Sequence, residues 1–139
     1  MNIRILAAVF LLAAGPALAS DKAPELKAGY RALALTFPAH QLRYIEPGDR
    51  VDVMTTFSAI MGKKDETTKE DVTATILQNV IVLAVDRKFN VIQLELNPNE
   101  AQYAALFASP DKTMWLSKRA AGDTEMHPME MANAKKLFR

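Results

Sequence analysis

Four runs between Gly29 and Leu96 place apolar residues at every second position, a period that fits β-strands and excludes amphipathic helices. In the first, Leu33, Leu35 and Phe37 fall on one face, Tyr30, Ala32, Ala34 and Thr36 fall on the other, and Pro38 ends the strand. In the second, Val51, Val53 and Thr55 alternate with Asp52, Met54 and Thr56, predicting a half-buried strand to Phe57. In the third, Val72, Ala74 and Ile76 alternate with Thr73, Thr75 and Leu77 until Gln78-Asn79 interrupts. Val80 to Val85 is then continuously apolar, the pattern of a central strand covered on both faces. Lys88-Phe89-Asn90 makes a tight connection to the fourth run, where Val91, Gln93 and Glu95 alternate with Ile92, Leu94 and Leu96.

The connections carry their own chemistry. Pro47 presets φ near −65° and Gly48 accepts a positive φ, the two requirements of a type II turn between Ile45 and Val53. From Met61 to Asp71, seven of eleven residues are charged, so this segment is expected to be a solvated hairpin loop or a mobile excursion. One helix is signalled. Asn97 can cap it, Pro98 sits where a missing N–H costs nothing, and Glu100 at the third position can reach back to the cap. It runs to Ala108 and stops before Ser109-Pro110. Met114, Trp115 and Leu116 form a short closing strand, with Trp115 expected in the core rather than in an aromatic contact surface with Tyr103. Past Gly122 the chain is Met-rich and polar, with a short helix expected from Met129 to Phe138. The expected fold is mainly β (α+β), with five to six strands and one short capped helix.

The N-terminus points to export. Arg4 precedes an apolar run of ten residues, Ile5 to Ala14, which Gly15-Pro16 breaks before Ala17-Leu18-Ala19 and Ser20. That order is a secretory signal peptide cleaved after Ala19, and ten residues fall short of the roughly 20 that span a bilayer. No membrane span is expected after cleavage. Of the 17 Lys and Arg residues only Arg4 is lost, leaving 16 against 16 Asp and Glu. That balance argues against nucleic acid or an anionic membrane as partner. The chain has no cysteine, so its core must hold the fold unaided and thiol chemistry is excluded. A periplasmic location follows. The expected organisation is a signal peptide over 1–19, a flexible leader over 20–28, a β-rich domain over 29–119 and a polar tail over 120–139.

No catalytic set emerges, and no cofactor is expected. Ser58, Ser109 and Ser117 lack a Gly-x-Ser-x-Gly frame, and His40 stands alone as a surface residue. Asp49 and Asp52 flank an exposed turn. Two segments are candidates for contact. Pro47, Gly48, Asp49 and Arg50 project from a turn between strands, although Asp49 and Arg50 could equally satisfy local backbone and each other. Met126, His127 and Met129 carry thioether and imidazole groups soft enough for Cu(I), while packing against a partner is the plainer role for such methionines.

Taken in order, several of these segments resemble the CpaB/RcpC family of Flp (tight-adherence) pilus assembly proteins, in the family's C-terminal part. They are Gly29-Tyr30-Arg31-Ala32-Leu33-Ala34-Leu35, Ile45 to Val53, Ile76 to Asp86, and Leu94-Glu95-Leu96-Asn97-Pro98-Asn99-Glu100-Ala101. The resemblance spans Gly29 to Lys118. It implies a β-clip-like SAF fold and a periplasmic assembly factor near the outer-membrane secretin. The pilus secretin or inner-membrane platform proteins would be its partners, and no catalytic residue is carried over. Family members usually bear a membrane anchor and a further SAF module ahead of this segment, where this chain has its leader. Two other functions stay open: a cell-wall glycan binder, with peptidoglycan as partner, and a Met/His copper protein.

Overall fold

A computed structural model describes residues 23–62 and 68–137. The expected signal peptide, the centre of the charged loop and Phe138 lie outside the described residues. Six strands form one antiparallel sheet, joined by three short helices. In chain order these are β1 (Arg31–Thr36), α1 (Ala39–Leu42), β2 (Arg50–Met61), β3 (Thr68–Asp86), β4 (Val91–Leu96), α2 (Pro98–Phe107), β5 (Thr113–Lys118), β6 (Met131–Asn133) and α3 (Ala134–Leu137). The strand order is β1-β4-β3-β2-β5, with β6 added beside β3. The fold is mainly β as expected; α1 is a four-residue helix that no periodicity marks, and α3 is a four-residue helix inside the expected Met129 to Phe138 segment. Among the described residues, no helix is long and apolar enough to cross a membrane.

The alternating pattern decides which face is buried. Leu35 and Phe37 of the first run, Val51, Val53 and Thr55 of β2, and Ile92, Leu94 and Leu96 of β4 all point into one core. Ile92, Leu94 and Leu96 are wholly buried, and removing each such side chain from water contributes roughly 1.5–3 kcal/mol. Ala104 of α2 and Leu42 of α1 close that core. The Asn97 cap forms in full: its side chain accepts from the Glu100 amide at 2.9 Å, and the Glu100 carboxylate accepts from the Asn97 amide at 2.7 Å.

The polar interruption at Gln78-Asn79 does not end a strand. β3 runs through it for 19 residues. Val51 pairs with Val80 and Val53 with Leu77, so Gln78 and Asn79 together oppose Asp52 in a β-bulge. Asn79 takes the left-handed conformation there, with φ of 58°, which asparagine tolerates better than most side chains. Its freed amide donates to Asp52 Oδ1 at 2.8 Å. Ile76 and Leu83 are further extra residues in the pairing. The bulge at Leu83 also corrects the expectation that both faces of Val80–Val85 are covered. Val82 and Leu83 are buried in succession because the bulge resets the alternation, and Ala84 is exposed.

Two more expectations are corrected. Trp115 is not in the core but 40% exposed, with its Nε1–H donating to Thr56 Oγ1 at 3.1 Å. Directly paired residues share a face; Met114 opposes the buried Thr55 and turns inward, while Trp115 opposes the half-buried Met54 and turns out. The expected helix from Met129 begins instead as β6, pairing Met131–Asn133 with Val72–Ala74, and turns helical only at Ala134. The open edge of β3 satisfies that backbone, which a lone ten-residue helix could not do as well.

Candidate functional site

The Glu46–Asp49 turn forms as its Pro-Gly pair predicts: the Asp49 amide donates to Glu46 O at 3.1 Å and Gly48 sits at φ of 93°. It is rigid because it is stitched to β3. The Gly48 amide donates to Val82 O at 2.8 Å, and the Val82 amide donates to Asp49 O at 2.9 Å. Both polar side chains bond to other groups of the protein. The Asp49 carboxylate accepts from the Glu46 amide and pairs with Lys118 of β5 at 2.7 Å. Burial pushes that carboxyl up, but the hydrogen bond and charge of Lys118 and the Glu46 amide outweigh it and hold Asp49 below its ordinary value. Arg50 donates to both Asn79 O and Asn79 Oδ1, at 3.1 and 3.0 Å. Asp49 therefore satisfies local backbone at Glu46 as well as the distant Lys118, while Arg50 reaches the distant Asn79, and the two do not bond each other. Pro47 and Gly48 are exposed, beside Tyr44 at 73%.

Next to the turn lies a cluster that no local pattern announces. Arg119 is buried, and its Nε donates to Asp52 Oδ1 at 2.7 Å across 67 residues of sequence. Hydrogen bonding to Asp52 pushes the guanidinium further up from its already high value. Its Nη1 donates to Glu125 O at 2.5 Å, which draws the tail back over the sheet. The Gln78 side chain finishes the attachment like a second strand residue. Its Nε2 donates to His127 O at 2.7 Å, and its Oε1 accepts from the His127 amide at 3.0 Å. Farther on, Glu70 holds Lys135 and accepts from Asn133 Nδ2, and the Lys135 hydrogen bond keeps its carboxyl below the ordinary value. Gln78 stands out in the sequence as one of the two polar residues that interrupt an apolar run, but nothing local points to its bonds with His127, and nothing in the sequence near Arg119 points to Asp52.

The structure thus brings the turn and the tail onto neighbouring parts of the sheet. Met126 and Met129 are 61% and 62% exposed, while His127 is fixed through its backbone. Among the described residues, no three His, Cys, Asp or Glu side chains group as metal ligands would.

The strand edges differ in how they are finished. β5 is terminal, but the Gln41 side chain covers it: Oε1 accepts from the Leu116 amide at 2.8 Å, and Nε2 donates to Met114 O at 3.3 Å. β3 is flanked by β4 over Ile81–Asp86 and by β6 over Val72–Ala74. At the other end of the sheet, among the described residues, β1 pairs with β4 alone. Its outer edge opens on a cleft of about 470 Å³, walled opposite by Ser109, Pro110 and Thr113. Arg31 is the only charged residue of β1, so the edge carries little of the charge that usually discourages strand pairing.

Such an arrangement offers backbone hydrogen-bonding groups, a rigid turn and exposed thioethers, all of them means of contact. The chain matches no curated protein and no solved structure. It does match the family model described as Flp pilus assembly protein RcpC/CpaB, over residues 22–117. That match covers more than two thirds of the 139 residues and the sheet through β5, so the chain belongs to the RcpC/CpaB family of Flp pilus assembly proteins.

Proposed function

We propose that this protein is an exported, periplasmic accessory factor of Flp pilus assembly, working by protein–protein contact near the secretin and without catalysis. The outer edge of β1, uncovered among the described residues, carries the reading. A terminal strand with free backbone groups, one charged residue and a cleft beside it can accept an extended strand from another chain. Family membership supports the machinery in which that strand is found. The exposed Pro47-Gly48 corner, held rigid by Asp49 and Arg50, and the exposed Met126 and Met129 serve as further partner-facing surfaces. The test is crosslinking of the tagged protein in intact, piliated cells, with captured partners identified by mass spectrometry. Recovery of the pilus secretin or inner-membrane platform proteins, lost when Ala34 is replaced by proline, is the expected result. Recovery of no pilus component would refute the reading.

A further inference from the structure

A second cleft, of about 480 Å³, lies on the sheet face turned away from the core. One transverse row of the sheet crosses it. Arg50 pairs with Ile81, Ile81 with Glu95, and Glu95 with Ala32, so Arg50 and Glu95 flank Ile81 on either side. Two interstrand steps separate their backbones, about 10 Å. Tyr30 and Met126 line the same cleft.

The charges in this cleft are not paired with one another. Glu95 is only 8% exposed, and its Oε2 accepts from the Lys27 amide at 2.8 Å. Among the described residues, no cationic side chain comes within ion-pair distance of that carboxylate. Arg50 is turned toward Asn79 instead, and the Lys27 ammonium lies over the Tyr30 ring, 4.8 Å from its centre. Each charge is thus tethered apart from its opposite by an internal bond. Glu95 Oε1 has no hydrogen-bond donor among the described residues, so the carboxylate keeps an acceptor for a cationic group that enters the cleft.

We infer that the cleft binds an extended peptide segment of a partner protein with a basic and an acidic side chain two residues apart, the basic group at Glu95 and the acidic group at Arg50. Alternate side chains of an extended chain lie about 7 Å apart on one side. Flexible Lys and Asp side chains reach the remainder of the span over the apolar floor of Ile81. The complementarity is specific to mixed charge: a purely basic segment meets Arg50 and Lys27, and a purely acidic one meets Glu95 and Glu100.

The test is a titration of the isotope-labelled protein with the blocked tripeptide Lys-Ala-Asp, followed by amide and Ile81 methyl shifts. Lys-Ala-Lys, Asp-Ala-Asp and Ala-Ala-Ala serve as comparisons. The expected result is saturable shifts confined to Lys27, Arg50, Asn79 to Ile81 and Glu95 with Lys-Ala-Asp, at least about tenfold tighter than with any comparison peptide. Glu95→Gln keeps an oxygen for the Lys27 amide, so it should fold normally while weakening binding about tenfold. Arg50→Gln should weaken it similarly. Equal binding of Lys-Ala-Lys would make the cleft a simple cation site and overturn the inference. So would an absence of shifts, or unchanged affinity in a folded Glu95→Gln protein.

Discussion

Replacing Gln78 with alanine isolates the attachment of the C-terminal tail. The side chain makes two hydrogen bonds to the His127 backbone, at 2.7 and 3.0 Å, and both are solvent-exposed. Exposed bonds of this kind contribute toward the lower end of 0.5–1.5 kcal/mol each, so their joint loss costs about 1–2 kcal/mol. The cost falls on local opening of the tail, because the Arg119–Glu125 bond and the β6 pairing remain. An opening equilibrium shifted by that amount changes roughly 5- to 30-fold. Native-state hydrogen exchange reads it: the His127 amide, whose acceptor is removed, should exchange faster by at least that factor in Gln78→Ala, while Leu94 and Val82 in the core exchange as before. An unchanged His127 rate would refute the argument that Gln78 holds the tail. Equal acceleration throughout the sheet would refute the argument that the tail opens independently of the core.

Other perturbations follow from single observations. Thr55 is wholly buried and its Oγ1 bonds to no group among the described residues, so Thr55→Val should raise the unfolding free energy by about 1 kcal/mol; a loss in denaturant titration would show the hydroxyl to be satisfied. Gly48 sits at φ of 93° with open space where a Cβ would go, so Gly48→Ala should cost about 1–2 kcal/mol through backbone strain alone, read as a lower Tm. Asp49 has a lowered folded pKa, so its contribution is present above the ordinary carboxyl value of 3.8 and is lost as pH falls through the folded value. The stability gap between the native protein and Asp49→Asn, about 0.5–1 kcal/mol at pH 6, should therefore shrink toward pH 2, and a gap constant with pH would contradict the Lys118 pairing. Gln41→Ala uncovers the edge of β5 and should produce concentration-dependent association by sedimentation velocity, where a strictly monomeric variant would show that the edge needs no cover.

What the sequence determined by itself is whatever is written within a few residues. Alternation assigned Leu35, Val51, Val53, Ile92 and Leu94 to the core face, since neighbouring side chains of a strand must point opposite ways. Pro47-Gly48 specified its turn and Asn97 to Glu100 specified its cap, because each depends on local dihedral preference and local donors. Only the tertiary structure decided the rest. Gln78-Asn79 became a bulge rather than a break because Asp52, far away in sequence, was there to accept the freed amide. Trp115 turned outward because pairing with β2 fixed the register that a short isolated strand leaves open. The tail became a strand because β3 had an edge to satisfy, and Glu95 and Arg50 came to share a cleft through strand pairing alone. Hydrogen bonds between strands and charges across a sheet join residues without regard to their distance along the chain, and no local pattern encodes them.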